Sequence, residues 1–224
     1  ADAKHLSVKK LLEISIAKKS NLIASADVIT TGELLKLADS VGPHIVALKT
    51  HMDIISDFDF EKTILPLKEI AKKHNFLIME DRKFADIGST QEMQYSHGIY
   101  KISSWADLIT SQVIGGSQSL DFFLNSGVIA ILSMSSKGTL TDNHYFEEAL
   151  QIAKSHPNVI GGVSQKPISD DLLLFTPGVN FADSGDSKGQ QYNTPEFVFN
   201  KLHTDFIIVG RGIYKSENPE QSAL

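Results

Sequence analysis

The sequence contains no cysteine, which excludes disulfide bonds, thiolate catalysis and cysteine-ligated metal sites. It also lacks any apolar run near the roughly 18 residues that a membrane-spanning helix requires. The N-terminal segment has no continuous hydrophobic stretch of the kind found in signal peptides, because Lys9, Lys10, Lys18 and Lys19 interrupt its apolar residues. We therefore expect a soluble, cytoplasmic protein with no membrane partner.

Positive charge is in the minority: 21 Lys and Arg residues stand against 27 Asp and Glu residues, for a net charge of −6. Nucleic acids and anionic membranes require a basic face, so this balance argues against both partners and leaves room only for a local basic pocket. Neither a Gly-x-Gly-x-x-Gly nor a Gly-x-x-x-x-Gly-Lys-Ser/Thr phosphate loop is present. The histidines show no metal-ligand spacing, and we predict no metal site.

Short apolar runs of strand length alternate with segments of helical periodicity. Continuous apolar runs of this kind are typical of parallel strands buried on both faces. The eight runs are residues 21–28, 44–48, 76–79, 106–109, 128–134, 159–163, 172–175 and 206–209. Helical periodicity covers residues 31–40, 60–74, 90–105 and 143–156, and Thr194-Pro195 is a good helix start. Between the sixth and seventh strands we predict one short helical turn.

This alternation predicts an α/β fold, either a (β/α)8 TIM barrel or a doubly wound open sheet. Nearly every predicted strand ends in a polar or glycine-rich cluster, which favours the barrel, because barrel active sites lie at the carboxyl ends of the strands. An open sheet would concentrate its chemistry at one switch point. We therefore predict a single barrel domain over residues 1–224.

The densest charged cluster directly follows the third predicted strand. Asp81 and Lys83 are two residues apart, so in an extended chain both side chains point to the same side. Taken alone, this segment is equally consistent with a solvated loop. Lys49 and Asp27 follow two other strands, however, and an array of alternating charges at strand ends indicates a functional site.

A phosphate-binding element is indicated after the eighth strand by Gly210-Arg211-Gly212. The glycines allow the backbone to approach an anion, and the guanidinium of Arg211 can bind phosphate oxygens in a forked arrangement. By itself the motif is better explained as a tight turn with a surface arginine, but its placement favours a phosphate site, because barrels often bind phosphate between the loops after the seventh and eighth strands. The seventh-strand side contributes Pro177, and Gln190 and Tyr192 follow it.

Together these segments closely resemble eukaryotic orotidine 5′-monophosphate decarboxylases, from about Leu11 to Ile213. The most specific match is Asp-x-Lys-x-x-Asp-Ile-Gly over residues 81–88. Supporting matches are residues 25–28, 48–51, 103–107, 134–138, 176–179, 189–192 and 208–212. The resemblance implies decarboxylation of orotidine 5′-monophosphate to UMP, the last step of de novo pyrimidine nucleotide synthesis, without a cofactor. It also implies a homodimer with shared active sites.

The resemblance implies the roles of individual residues. Lys83 would protonate C6 of the pyrimidine, Asp81 would lie beside the substrate carboxylate, and Lys49 would complete the charge array. Asp86, with Ile87 and Thr90, would reach into the neighbouring subunit's site. The remaining substrate-binding residues would be Ser25, Asp27, His51, Ser135, Pro177, Gln190, Tyr192, Gly210 and Arg211.

Three features depart from the family's pattern. Thr110-Ser111-Gln112 stands where many relatives have Asn-Ala-His, and Gly161-Gly162 stands where many have a larger apolar residue. The chain stops at Leu224, shortly after the eighth strand, so the final amphipathic helix of relatives is expected to be missing.

Alternative interpretations remain open. The chain could be a related phosphosugar-binding barrel enzyme, such as a metal-dependent synthase or epimerase, or an inactive nucleotide-binding paralogue. The sequence also does not decide between a free-standing enzyme and the C-terminal domain of a bifunctional UMP synthase.

Overall fold

Eight parallel strands close into a barrel in the order in which they occur along the chain. The structure is a computed structural model that describes residues 6–180 and 193–224. Each strand pairs with the next, and β8 pairs with β1 through Leu22 opposite Ile207. The strands are β1 (Leu22–Ser25), β2 (Ala47–Thr50), β3 (Leu77–Phe84), β4 (Leu108–Gln112), β5 (Gly127–Ile131), β6 (Val159–Val163), β7 (Leu173–Pro177) and β8 (Phe206–Val209). The TIM-barrel prediction is confirmed.

Helices surround the strands and follow most of them. They are α1 (Leu6–Lys18), α2 (Thr31–Val41), α3 (Leu65–His74), α4 (Gly88–Ser96), α5 (Asn143–Ser155), α6 (Pro195–Phe197), α7 (Arg211–Tyr214) and α8 (Pro219–Ala223). Short 3-10 turns occupy Gly42–His44, Met52–Ile54, Ile102–Ser104 and Ser117–Leu120, and π-helical turns occupy Phe60–Ile64 and Val198–Leu202. Within these described parts of the chain, no helix combines the length and the hydrophobicity needed to cross a membrane.

The strands are buried on both faces, as their continuous apolar runs predict. Side chains inside the barrel, among them Ile23, Met79, Ile129 and Phe175, form one core cluster. A second cluster fills the layer between the strands and the outer helices, where Leu34 and Leu67 contribute from α2 and α3. The result is a rigid frame that holds the ends of the strands in fixed positions.

Two helix starts are capped by threonine hydroxyls, and of these caps only Thr194 was predicted. The hydroxyl of Thr30 accepts a hydrogen bond from the Glu33 backbone N–H, and the Glu33 carboxylate accepts one from the Thr30 backbone N–H, which is a capping box. The Thr194 hydroxyl accepts a hydrogen bond from the backbone N–H of Phe197, so Thr194 caps α6 as predicted.

Two helix predictions are wrong. Between β6 and β7 the chain forms turns without a helix, because the Ser164 hydroxyl hydrogen-bonds to Lys166 N–H and C=O and Pro167 has no backbone donor. The predicted helix over residues 90–105 ends at Ser96, since Gly98 and Lys101 adopt positive φ. Trp105 nevertheless lies in the core.

The N-terminal helix α1 was not predicted. Only Ser7, Leu11 and Ile14 are buried along its 13 residues, so its apolar stripe is narrow. Leu11 and Ile14 belong to the same core cluster as the residues inside the barrel. Tertiary contacts, rather than a strong local pattern, therefore hold α1 in place.

Candidate active site

A cavity of about 340 Å³ lies at the carboxyl ends of the strands, where barrel enzymes place their active sites. Its apolar lining includes Met79, Ile131, Val163 and Ile208, which come from four different strands. Most of the predicted site residues also line it: Ser25, Asp27, Lys49, His51, Asp81, Lys83, Ser135, Pro177, Gly210 and Arg211.

The centre of the cavity wall is a carboxylate held between two ammonium groups. One oxygen of Asp81, Oδ2, lies 2.9 Å from Lys49 Nζ and 2.7 Å from Lys83 Nζ. Lys49 and Asp81 are almost fully buried, at 6% and 8% exposure. Lys83 is about a third exposed, so its ammonium is the cation of this array most accessible from the cavity.

The charges of this array stabilise one another. Burial alone would raise the pKa of Asp81, but the ammonium of Lys49, a hydrogen bond from His51 and the ammonium of Lys83 outweigh that effect and hold the pKa well below its usual range. Burial would lower the pKa of Lys49, but Asp81 and Asp27 outweigh it and raise the pKa. These two opposed shifts favour the charged forms of Asp81 and Lys49, so a charged group on a ligand meets fixed charges.

Asp27 and His51 extend the array along the wall. Asp27 Oδ1 accepts a hydrogen bond from the Ser25 hydroxyl at 2.9 Å and lies 3.5 Å from Lys49 Nζ. His51 Nε2 lies 2.8 Å from Lys49 Nζ and 3.3 Å from Asp81 Oδ2. His51 Nε2 therefore lies between the ammonium of Lys49 and the carboxylate of Asp81. Asp27 is the more exposed carboxylate, which suits binding of hydroxyl groups.

The glycine-rich turn lies beside Ser25 and Asp27, since a Cβ at Gly210 would lie 3.5 Å from Ser25 Cβ and 3.9 Å from Asp27 Oδ2. Gly210 follows β8, and Arg211 begins α7. Gly178, directly after Pro177, has a φ of 72°, which a residue with a side chain rarely adopts. Gln190 and Tyr192, the other two residues predicted for the phosphate, lie outside the described residues.

Asp86, Ile87 and Thr90 do not line the cavity of their own chain. Asp86 accepts a hydrogen bond from Gln94 Nε2 at 3.2 Å, and its backbone N–H donates to Gln91 Oε1. Ile87 is 66% exposed. The structure thus separates these three residues from the other predicted site residues.

Comparison with known proteins agrees with this geometry. Residues 20–224 match the model of the orotidine 5′-phosphate decarboxylase/HUMPS family. The chain belongs to this family. Orotidine 5′-phosphate decarboxylase of Candida glabrata is 49% identical over 94% of this chain and 85% of the relative. That of Torulaspora delbrueckii is 46% identical over 97% and 89%.

Solved structures of the orotidine 5′-phosphate decarboxylase family share the fold. The Methanocaldococcus jannaschii enzyme in complex with the inhibitor BMP has a TM-score of 0.69 and 26% identity, covering 91% of this chain and 95% of the other. The Pyrococcus horikoshii enzyme has the same TM-score at 20% identity and 90% and 95% coverage, and so supports the fold alone.

One buried acid beside the array of Asp81, Lys49 and Lys83 was not predicted. Glu80 accepts hydrogen bonds from the Thr50 hydroxyl at 2.6 Å and from the Met52 backbone N–H at 3.1 Å. It thereby fixes the end of β2 and the residues after it, where Lys49 and His51 lie. Burial raises the pKa of Glu80 to about 8. The available signal was that Glu80 directly follows the apolar run 76–79 and precedes Asp81, because neighbouring strand residues face opposite sides.

Among residues 6–180 and 193–224, no three His, Asp or Glu side chains are grouped so that they could hold a metal ion. The carboxylates of Asp27 and Asp81 instead form ion pairs with Lys49 and Lys83.

Proposed function

We propose that this protein converts orotidine 5′-monophosphate to UMP and carbon dioxide without a metal or cofactor. The observation that carries the proposal is the position of Lys83, whose ammonium reaches the cavity 2.7 Å from the Asp81 carboxylate. Family membership and the named decarboxylase relatives support the same reaction.

The reaction requires stabilisation of a carbanion. The bond between C6 and the carboxyl carbon breaks, its electron pair stays on C6, and carbon dioxide leaves. Lys83 then donates a proton to C6 and regains one from solvent. A fixed ammonium aimed at C6 stabilises charge only as it develops, and therefore favours the transition state over the bound substrate.

The other cavity residues bind the nucleotide. Asp81 faces the substrate carboxylate, Lys49 and Asp27 contact the ribose, and Ser135 reads the pyrimidine edge. Arg211 and the backbone of Gly210 hold the phosphate, together with Gln190 and Tyr192. Since the phosphate is remote from C6, its binding energy is available to position the reacting end of the substrate.

The test is loss of substrate absorbance when the purified protein is incubated with orotidine 5′-monophosphate and EDTA, with Lys83→Ala in parallel. We expect turnover that survives EDTA and requires Lys83. Activity abolished by EDTA would favour a metal-dependent barrel enzyme. A folded protein that binds UMP in calorimetry without turnover would be an inactive paralogue.

We further propose a homodimer in which Asp86, Ile87 and Thr90 complete the partner's site. Supporting this, all three lie away from their own cavity, and Ile87, Met93 and Ile114 are exposed apolar side chains. Ile114 adjoins Gly115, which lies against the backbone of Asp86. These features favour burial of this surface against a second copy.

Hybrid dimers test the shared site. Lys83→Ala and Asp86→Ala subunits should each be inactive alone. When refolded together in equal amounts, half of the dimers are hybrids with one intact site of two, so about a quarter of the wild-type activity should return. No recovery in proven hybrids would place Asp86 in its own chain's site.

A cytoplasmic location stays a prediction, which cell fractionation would test.

A further inference from the structure

The strands β3 and β4 pair irregularly beside the charge array. Glu80 lies opposite Ile109 and Phe84 opposite Ser111, with a register shift between the two pairs. Three residues of β3, 81–83, are therefore accommodated opposite a single β4 residue, Thr110. Such a bulge redirects side chains and leaves backbone groups without their usual ladder partners.

Lys83 carries the strain of this bulge. Its φ is 48°, in the left-handed region that a residue with a side chain rarely occupies. Residues held in this way occur at functional sites and persist only where their surroundings fix them. The contact that fixes Lys83 comes from Thr110, whose hydroxyl accepts a hydrogen bond from the Lys83 backbone N–H at 2.9 Å.

The same hydroxyl also fixes Asp81. Thr110 Oγ1 donates a hydrogen bond to Asp81 Oδ1 at 2.7 Å. The other carboxylate oxygen, Oδ2, forms ion pairs with the ammonium groups of both lysines. A hydroxyl has one proton to donate, and here Asp81 takes it, so the Lys83 N–H must be the donor in the second bond. Thr110 is fully buried and branched at Cβ, which restricts its rotation.

We propose that Thr110 is a positioning residue whose single hydroxyl sets the placement of Lys83 relative to Asp81. This inference rests on the proposed decarboxylase function. Since a displacement of about 1 Å at a reacting group can lower a rate roughly 100-fold, loss of this hydroxyl should act mainly on the chemical step. Nucleotide binding depends on other residues and should change little.

The test compares Thr110→Val, which keeps the shape and removes the hydroxyl, with Thr110→Ser, which keeps the hydroxyl. Ser111→Ala is the matched control, because Ser111 is a buried hydroxyl on the same strand that, among the described residues, bonds to the carbonyls of Phe84 and Gln112 and not to the array. We expect Thr110→Val to lower kcat about 100-fold with KM within about threefold, and Thr110→Ser to recover most of the loss.

Two further readouts separate positioning from a general structural role. The acid limb of the kcat/KM profile should move to higher pH in Thr110→Val and stay in place in Ser111→Ala, because Asp81 loses a hydrogen bond to its charged form. Crystal structures should show the contact between Lys83 Nζ and Asp81 Oδ2 lengthened in Thr110→Val and kept in Thr110→Ser.

Specific outcomes overturn the inference. If Thr110→Val keeps kcat within threefold of wild type, or if its crystal structure retains the Lys83–Asp81 contact, Thr110 does not position the array. Thr110→Ala removes the same hydroxyl with less bulk and replaces the valine variant if that variant does not fold. An inactive wild type would instead refute the proposed function, and the crystallographic comparison would still decide the role of Thr110.

Discussion

Lys83 Nζ lies 2.7 Å from Asp81 Oδ2, and both side chains face the same cavity. The two groups differ in exposure, since Asp81 is buried and Lys83 is about a third exposed. The buried carboxylate orients the ammonium, and the ammonium remains accessible to a ligand. A charge placed in this way before substrate arrives needs no reorganisation during the reaction.

Replacing Lys83 by Ala should nearly abolish turnover. The variant loses both the cation that stabilises the developing carbanion and the proton donor, effects that together are worth about 10⁴-fold or more. Asp81 keeps its contact with Lys49, so the fold should survive. Steady-state kinetics measure kcat, and circular dichroism checks the fold. Most of the wild-type activity in the variant would refute the assigned role.

Replacing Arg211 by Ala should raise KM for orotidine 5′-monophosphate by about 10- to 100-fold, because hydrogen bonds to charged groups contribute roughly 1.5–3 kcal/mol. Calorimetry with UMP and uridine locates the effect: UMP affinity should fall, whereas uridine affinity should not. Arg82→Ala is the control, since Arg82 lies near the Phe84 ring and does not line the cavity. An equal loss for uridine would show that Arg211 does not act on the phosphate.

The strands and the position of the site could be predicted because they depend on local patterns. β6 and β8 match their predicted bounds, since each is an apolar run that begins after a polar residue and ends at a polar residue or a glycine. The apolar runs also placed Asp81, Lys83 and Lys49 at the carboxyl ends of their strands, where the structure has them in the last residues of β3 and β2. By contrast, α1 is held by contacts with the barrel interior that a single segment does not reveal.

The internal geometry of the site could not be predicted. Two-residue spacing correctly places Asp81 and Lys83 on one side, but the chain achieves this through a bulge and a positive φ at Lys83 rather than by regular alternation. Thr110 and Glu80 act through contacts with residues distant in the sequence or on another strand. Such contacts depend on register, which no local pattern specifies.

Replacing Gly161 by Ala should destabilise the barrel by about 1–3 kcal/mol, or roughly 2–10 °C in Tm. A Cβ at Gly161 would overlap the carbonyl oxygen of Leu173 in the neighbouring strand, and backbone in a barrel cannot move aside. A Cβ at Gly162 would meet the side chain of Leu132, which can shift, so Gly162→Ala should cost less.

Gly32→Ala is the control for the glycine series, because a Cβ there meets nothing within 4 Å and the position lies in α2. Its Tm should stay the same or rise slightly. Differential scanning calorimetry ranks the three variants by Tm. A Gly161→Ala variant as stable as Gly32→Ala would contradict the packing argument.

Replacing Glu80 by Gln should change how stability depends on pH. The pKa of Glu80 in the folded state is about 8, raised by burial, and lies above that of an unfolded glutamate. The folded state therefore holds the proton across a window in which the unfolded chain has lost it. In that window the free energy of unfolding falls as pH rises, by up to roughly 1.4 kcal/mol per pH unit, and the fall ends above about pH 8.

Glutamine is neutral at every pH and retains an acceptor for the Thr50 hydroxyl and the Met52 N–H. Glu80→Gln should therefore gain Tm relative to wild type between about pH 6 and about pH 9, by on the order of 5 °C. The carboxylates of Asp53 and Asp81 face Glu80 and remain in both proteins, so the difference isolates Glu80. Glu92→Gln, an exposed substitution on α4, is the control and should show no such gain. An equal pH response in Glu80→Gln and wild type would show that Glu80 is ionised in the folded protein throughout this range.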